Sequence, residues 1–310
     1  MQQRPKKSAK TAEAGATFPV GAKRSTPLWR CRGRTLSLAT PLVMGILNVT
    51  PDSFSDGGRY LSTARALEHA LALIAAGADI VDVGGESTRP GAQALDEAEE
   101  LQRVLPVIQE LSKRAPTPIS IDTRHAAVAQ QALDAGAVIV NNVACFTRDP
   151  VMATVVREMG AGLVLMHSRG TPQTMMSLAV YEDVVATVET ELKQALAFAQ
   201  EIGISREACV LDPGLGFAKD TEGNLRLLAA VNRLSALGPL LIGASRKRFI
   251  GELCHQPDPA QRLSGSLCAA VWSALQGASI LRVHDVKETK ESLALALALK
   301  AIHDSEKRAC

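Results

Sequence analysis

The sequence predicts an α/β protein folded as a single (β/α)8, or TIM, barrel. Short apolar runs rich in Val, Ile and Leu alternate with longer Ala-, Leu- and Glu-rich stretches of helical period. The alternation is counted eight times within about 270 residues, the number a closed barrel needs. The apolar runs are hydrophobic at nearly every position, as strands covered on both faces of a parallel sheet are. An open doubly wound sheet is the rival, but no G-x-G-x-x-G follows the first run.

Taken in order, the segment TPLWRCRGRTLSLAT (26–40) predicts a small hairpin beneath the barrel floor. The first barrel strand is LVMGIL (42–47), and after an irregular polar stretch comes the helix STARALEHALALIAAG (62–77). The second strand is DIVDVG (79–84), followed by AEELQRVLPVIQELSKR (98–114). PISID (118–122) and AVIVN (137–141) are the third and fourth strands, and GLVLMH (162–167) is the fifth, leading to VVATVETELKQALAFAQEIG (184–203). CVLDP (209–213), PLLIGAS (239–245) and SILRVH (279–284) complete the set. Gly77, Gly136, Gly203 and Gly277 each close a helix just before the next strand. The expected boundaries are a disordered basic tail over 1–27 and one catalytic domain over 28–305.

Composition narrows the function. Of 310 residues, 46% are apolar but only 3% aromatic, so the core is aliphatic. The net charge of +2 is uneven: residues 1–34 hold nine Lys or Arg against Glu13 alone, leaving a net of −6 on the remainder. An acidic body is a poor general nucleic-acid binder, so no nucleic-acid partner is expected. No apolar window approaches the length of a membrane span, so no membrane partner is expected either. The six cysteines form no C-x-x-C pair and no metal spacing, and read as reduced, mostly buried thiols of a cytoplasmic protein.

The ends of the strands carry residues that do not belong in a core: Asn48, Asp82, Asp122, Asn141, His167, Asp212, the run Ser245-Arg246-Lys247, and Arg282 with His284. In a parallel barrel these ends share one face, so residues distant in sequence meet at one mouth. They sort into two chemistries. Asp122, Asn141 and Asp212 offer acceptors that suit a flat heterocycle with a guanidine-like edge, and Lys247 adds a donor. Arg282, His284, Arg89 after the second strand and Asn48 suit a phosphate or diphosphate, with Mg²⁺ held by Asn48 and nearby oxygens. Lys247 alone also fits a Schiff-base lysine of an aldolase-type barrel, though Arg246 beside it and the acids opposite favour binding. His69, His125, His255 and His303 read as surface residues, and Asp285 as a partner for Arg282.

The motifs NVTPDSFSDGG, DVGGESTRPGA, SIDT, LMH, LDPGLGF, GASRKRFIG and RVHDV occur in this order over residues 42–300. In them the chain resembles the dihydropteroate synthase family. The resemblance implies a Mg²⁺-dependent transferase of folate biosynthesis, usually a homodimer and a target of sulfonamides. It would join 6-hydroxymethyl-7,8-dihydropterin diphosphate to p-aminobenzoate, giving 7,8-dihydropteroate and diphosphate.

By the same resemblance Asp122, Asn141, Asp212 and Lys247 hold the pterin, with Met166 and Phe217 against its faces and Asp82 at its junction with the diphosphate. Asn48, Arg89, Arg282 and His284 hold the diphosphate, and Asn48 serves the metal. Phe54 and Asp56 on a first loop, with Thr88, Arg89 and Pro90 on a second, complete the p-aminobenzoate site beside Phe217, Lys247 and Arg248. Asp56, Phe54, Lys247, Arg282 and His284 are the expected catalytic group. The chain departs from the family in carrying Asn142 where an Asp is usual, Ser168-Arg169 after Met166-His167, and Arg248 where some members have Ser. Two rivals remain: a methyltetrahydrofolate:corrinoid methyltransferase type of pterin barrel, which has no need of the PDSFSDGG and ESTRPG motifs, and a non-catalytic pterin-binding homologue.

Overall fold

A computed structural model describes residues 27–49, 58–86, 95–143 and 150–309. The expected loop residues Phe54, Asp56, Thr88, Arg89 and Pro90, and the tail before residue 27, lie outside the described residues.

The chain begins with the antiparallel hairpin β1 (Leu28–Cys31) and β2 (Arg34–Ser37). The barrel strands and helices then alternate: β3 (Leu42–Asn48), α1 (Gly58–Ala75), β4 (Ile80–Gly84), α2 (Glu97–Arg114), β5 (Ile119–Asp122), α3 (Ala126–Asp134), β6 (Ile139–Asn142), α4 (Pro150–Met159) and β7 (Gly162–Met166). They continue with α5 (Val184–Glu201), β8 (Cys209–Asp212), α6 (Thr221–Ala229), α7 (Val231–Ser235), β9 (Leu241–Ile242), α8 (Arg248–Leu253), α9 (Leu263–Leu275), β10 (Ile280–Val283) and α10 (Val286–Ala309). All eight expected barrel strands are present. They form one parallel sheet in the order β8-β7-β6-β5-β4-β3-β10-β9. A parallel bridge between Leu211 and Leu240 joins the two ends and closes the barrel. Only two of the seven residues expected in the seventh strand pair fully, because the chain leaves the sheet at Gly243 to enter a turn.

Alternation along each strand divides the interior in two. One set of side chains, including Val43, Val81, Val83, Val140, Leu163 and Leu165, packs outward into a continuous core under the helices. The other set, including Met44, Ile80, Ile139, Val164, Val210, Leu241 and Ile280, packs with Trp29 and Cys31 of the hairpin. The hairpin therefore floors the barrel, as the sequence predicted. Trp29 is wholly buried, and its indole N–H donates to the Ala208 carbonyl at 2.9 Å. Gly162 opens β7 at this point: a Cβ there would lie 2.6 Å from Cys31 Sγ, so any larger residue would lift the hairpin.

Helix starts follow from local capping. Asp96, Asp183 and Asp220 each accept a backbone N–H from the first turn of α2, α5 and α6. Among the described cysteines, Cys31 and Cys209 are buried as expected, but Cys254 and Cys268 are exposed. Cys254 caps the end of the outer helix α8 and Cys268 lies on the outer helix α9, which leaves them no core to enter.

Candidate active site at the barrel mouth

The upper layer of the barrel lumen is polar, and an arginine organises it. Arg282, near the end of β10, donates from Nε to Asp82 Oδ2 and from Nη2 to Asp122 Oδ2, both at 2.6 Å. Asn141 Nδ2 reaches the same Asp82 oxygen at 3.1 Å. Strand register brings these groups together, since Gly84, Asp122 and Asn141 pair in sequence across β4, β5 and β6. Burial opposes the guanidinium charge of Arg282, but Asp82, Asp122 and Asp212 outweigh it and hold the group above its ordinary pKa. Burial pushes the Asp122 carboxyl up, against the pull of Arg282.

The second oxygens of these groups are left over. Asp82 Oδ1, Asp122 Oδ1 and Asn141 Oδ1 are buried and accept no hydrogen bond. Buried acceptors without donors are costly and rare. Three such acceptors on the adjacent strands β4, β5 and β6 are a set that a ligand with several N–H groups would satisfy.

Asp212 ends β8 and lies beside the others. Its Oδ1 accepts the Gly214 N–H at 2.7 Å, which folds the next residues back over the mouth. Gly214 sits at φ +66°, and a Cβ there would stand 1.9 Å from the His167 carbonyl oxygen, so glycine is required. Burial raises the Asp212 pKa, and the Lys247 charge partly restores it. Lys247 Nζ donates to the Leu215 carbonyl and lies 4.8 Å from the centre of the Phe217 ring, a cation–π contact. Burial draws the Lys247 pKa down to about 8, with Asp212 pulling the other way. Met166 ends β7, buried, in register with Asp212.

On the other side of Arg282, His284 Nδ1 and Ser245 Oγ are 3.0 Å apart, and the same Oγ accepts the His284 N–H at 3.2 Å. Asn48 is half-buried at the end of β3, opposite Gly84. Arg248 begins α8, exposed, and pairs with Glu252 at 3.2 Å. The mouth thus gathers Asp82, Asp122, Asn141, Asp212, Lys247 and Arg282 in one electrostatic cluster, with Met166, Phe217, His284 and Asn48 on its strand ends and loops.

Two expectations are corrected. Asp285 does not pair with Arg282, which Asp82 and Asp122 already occupy; it pairs with Arg246. His125 is not a plain surface residue, for its Nδ1 lies 2.8 Å from the fully buried Glu100. Burial raises the Glu100 pKa, and His125 stands at the start of α3 as its compensating partner.

Lys219 escaped the sequence reading. It is almost fully buried, and its Nζ contacts the Gly214 carbonyl at 3.0 Å, the Phe217 carbonyl at 2.8 Å and His167 Nδ1 at 3.0 Å. Burial draws its pKa down to about 7. His167 is lowered to about 3, by burial first and then by Lys219 and Arg169, so its neutral ring accepts from the lysine. This staple holds the loop that carries Phe217. In sequence Lys219 stands before the helix cap Asp220 and looks like any solvated lysine.

A model of the pterin binding enzyme family matches residues 44–284. The dihydropteroate synthase of Escherichia coli is 44% identical over 277 residues, covering 89% of this chain and 98% of that protein. A structure of Xanthomonas albilineans dihydropteroate synthase with 4-aminobenzoic acid superposes with a TM-score of 0.84 at 44% identity, covering 89% of this chain and 99% of that one. Another, of the same enzyme in complex with 7,8-dihydropteroate, gives 0.81 at 42% identity over the same shares.

Proposed function

The chain belongs to the pterin-binding enzyme family, among the dihydropteroate synthases, and we propose that its barrel mouth joins 6-hydroxymethyl-7,8-dihydropterin diphosphate to p-aminobenzoate. Membership makes it a transferase of folate biosynthesis. The observation that carries the substrate assignment is the set of partnerless buried acceptors Asp82 Oδ1, Asp122 Oδ1 and Asn141 Oδ1, on residues gathered around Arg282, with Lys247 near enough to Asp122 and Arg282 to feel their charge. A pterin presents a flat edge of amino and ring N–H donors to such a set, and Lys247 supplies the donor for its carbonyl or ring nitrogen. Asp212 adds a further acceptor, and Met166 and Phe217 cover the ring faces.

The diphosphate takes the cationic side. Arg282 and His284 hold it, with Arg89 from the second loop. The described residues contain no cluster of three His, Cys, Asp or Glu that would cage a metal. Asn48 at the rim offers one amide oxygen. That donor set fits Mg²⁺, which takes few protein ligands and completes its shell with substrate phosphate oxygens and water. When bound, the ion neutralises charge on the leaving diphosphate.

The reaction begins at the pterin methylene. Its C–O bond to the diphosphate breaks and the electron pair leaves with the oxygen, giving a resonance-stabilised pterin methylene cation. Asp56 stabilises that cation, and Phe54 covers the arylamine. The amine nitrogen of p-aminobenzoate forms the new C–N bond and sheds its proton to solvent. The chain's contribution is orientation of both reactants and electrostatic stabilisation of the departing group. Thr88, Pro90, Phe217, Lys247 and Arg248 frame the p-aminobenzoate, and sulfonamides would compete for that position.

A homodimer is part of the proposal. Leu295, Leu299 and Ile302 form an exposed stripe on α10, and Trp272 is half-exposed on the adjacent α9. A second copy is the natural cover for such a face. No helix of the described residues is long and apolar enough to cross a membrane, in keeping with the proposed cytoplasmic site of action.

The test is to incubate the chain with dihydropterin diphosphate, p-aminobenzoate and Mg²⁺ and follow diphosphate release and dihydropteroate formation. Both products should accumulate together; if neither does while pterin still binds, the chain is a non-catalytic pterin binder. Phe54→Ala and Asp56→Ala should lower turnover with pterin affinity preserved. Loss of pterin affinity in them would refute the division between barrel and loops.

A further inference from the structure

The turn that delivers Lys247 is held in an unusual conformation. Residues 244–247 form a turn closed by the Lys247 N–H to the Ala244 carbonyl at 3.2 Å. Arg246, its third residue, has φ +59°. Glycine usually fills such a position, because a Cβ is disfavoured there, with asparagine next because its short polar side chain can hydrogen-bond locally. Arg246 is instead held by its surroundings. Its N–H donates to Ser266 Oγ at 2.9 Å, and its carbonyl accepts from Arg262 Nη1 at 2.9 Å. Its side chain makes a two-point pair with Asp285, from Nε at 3.1 Å and Nη2 at 2.5 Å.

Asp285 follows His284, and its own carbonyl is fixed by the Thr289 hydroxyl at 2.7 Å and N–H at 3.1 Å. Two consecutive residues of one turn, Ser245 and Arg246, are thereby bonded to two consecutive residues of the other, His284 and Asp285. Lys247, next in the chain, reaches the opposite way to Leu215 and Phe217. The double rung ties the lysine on the heterocycle side to the histidine on the diphosphate side, and the bond that breaks lies between them.

We propose that Arg246 is a positioning residue for the condensation, acting through its pair with Asp285 to fix the spacing between Lys247 and His284. The proposal rests on the function assigned above. Misplacement of reacting groups by about 1 Å lowers rates by up to about a hundredfold, so a loosened rung acts on kcat.

The test compares Arg246→Gly, Asp285→Asn and their combination with the unsubstituted chain. Glycine accepts φ +59°, so the first variant keeps the turn and removes only the pair. Expected are a fall in kcat of about tenfold or more in each single variant, a double variant no slower than the slower single, and a KM for p-aminobenzoate changed less than about twofold. Arg246→Lys, which keeps the charge but not the two-point geometry, should fall between. Asp285→Asn separates positioning from simple attraction: it leaves Arg246 less neutralised, so an electrostatic role would tighten the diphosphate substrate and spare kcat. That result, or unsubstituted kcat in either folded variant, overturns the proposal. Circular dichroism confirms folding, and if Arg246→Gly fails to fold, Asp285→Asn decides alone. No turnover in the unsubstituted chain sinks the function and this proposal together, whereas turnover there with unaltered variants sinks only this proposal.

Discussion

The floor and the mouth of the barrel are made by the same eight strands and treat buried polarity in opposite ways. At the floor, Trp29 and Cys31 pack against Met44, Ile80, Ile139, Val164, Val210, Leu241 and Ile280, and the indole N–H is satisfied by Ala208. Burial pushes the Cys31 thiol up to about 12, so it stays a neutral, inert filler. At the mouth, Asp82, Asp122 and Asn141 each bury an oxygen with no donor, and Arg282 supports two carboxylates at once. The lesson is that a parallel barrel assigns stability to one end and unmet chemistry to the other.

The contrast predicts separable effects, of which removal of Arg282 is the largest. Arg282→Ala should leave Asp82 and Asp122 as uncompensated buried acids, costing about 3–5 kcal/mol of stability. It should also lower turnover by about a hundredfold or more, since it removes the cation proposed to face the diphosphate. Urea titration and steady-state assays read the two losses, and retained turnover would break the assignment of the mouth. Trp29→Ala should cost a similar 3–5 kcal/mol, but kcat/KM per folded molecule should match the parent. A large activity loss there would show that the two ends are coupled.

The pH dependence sharpens the comparison further. Lys247 has a folded pKa of about 8, below its ordinary 10.5. As pH rises through about 8 the ammonium is lost, so pterin affinity should fall above that pH. Stability should move the other way. Between pH 8 and 10.5 the unfolded chain holds the proton that the native chain has released, so stability from this group rises with pH, by up to about 1.4 kcal/mol per unit. Below pH 8 both states are charged and the dependence vanishes. Lys247→Met should abolish the affinity trend and reduce the stability trend, the remainder belonging to Lys219, whose pKa of about 7 gives the same sign, as calorimetry at several pH values would read. The smallest effect is at the rim. Arg248 pairs with Glu252 in exposed geometry, a contact worth under about 1 kcal/mol. Arg248→Ala should raise the KM for p-aminobenzoate less than about fivefold and leave pterin affinity unchanged.

Much of this was legible before the structure. Each barrel strand is an apolar run that stops at a residue unfit for a core, so Asp82, Asp122, Asn141, Asp212 and Arg282 announced both the strands and the mouth. What stayed hidden depends on backbone shape or on burial of a long side chain. Lys219 is read as solvated until the Gly214 turn wraps over it. The pairing of Asp285 with Arg246 follows from a positive φ that no spacing rule foresees at arginine. His125 needed the depth of Glu100, one helix away, to show its role.

The hairpin beneath the barrel has a kinetic corollary. With Trp29 and Cys31 sealing one end, the well admits and discharges its contents through a single opening. Under the proposed function the heterocycle sits deepest, against Asp122 and Asp212, and would have to arrive before the arylamine above it. An arylamine arriving early would obstruct its own co-substrate, so an excess of that reactant should act as a brake on the very reaction it feeds.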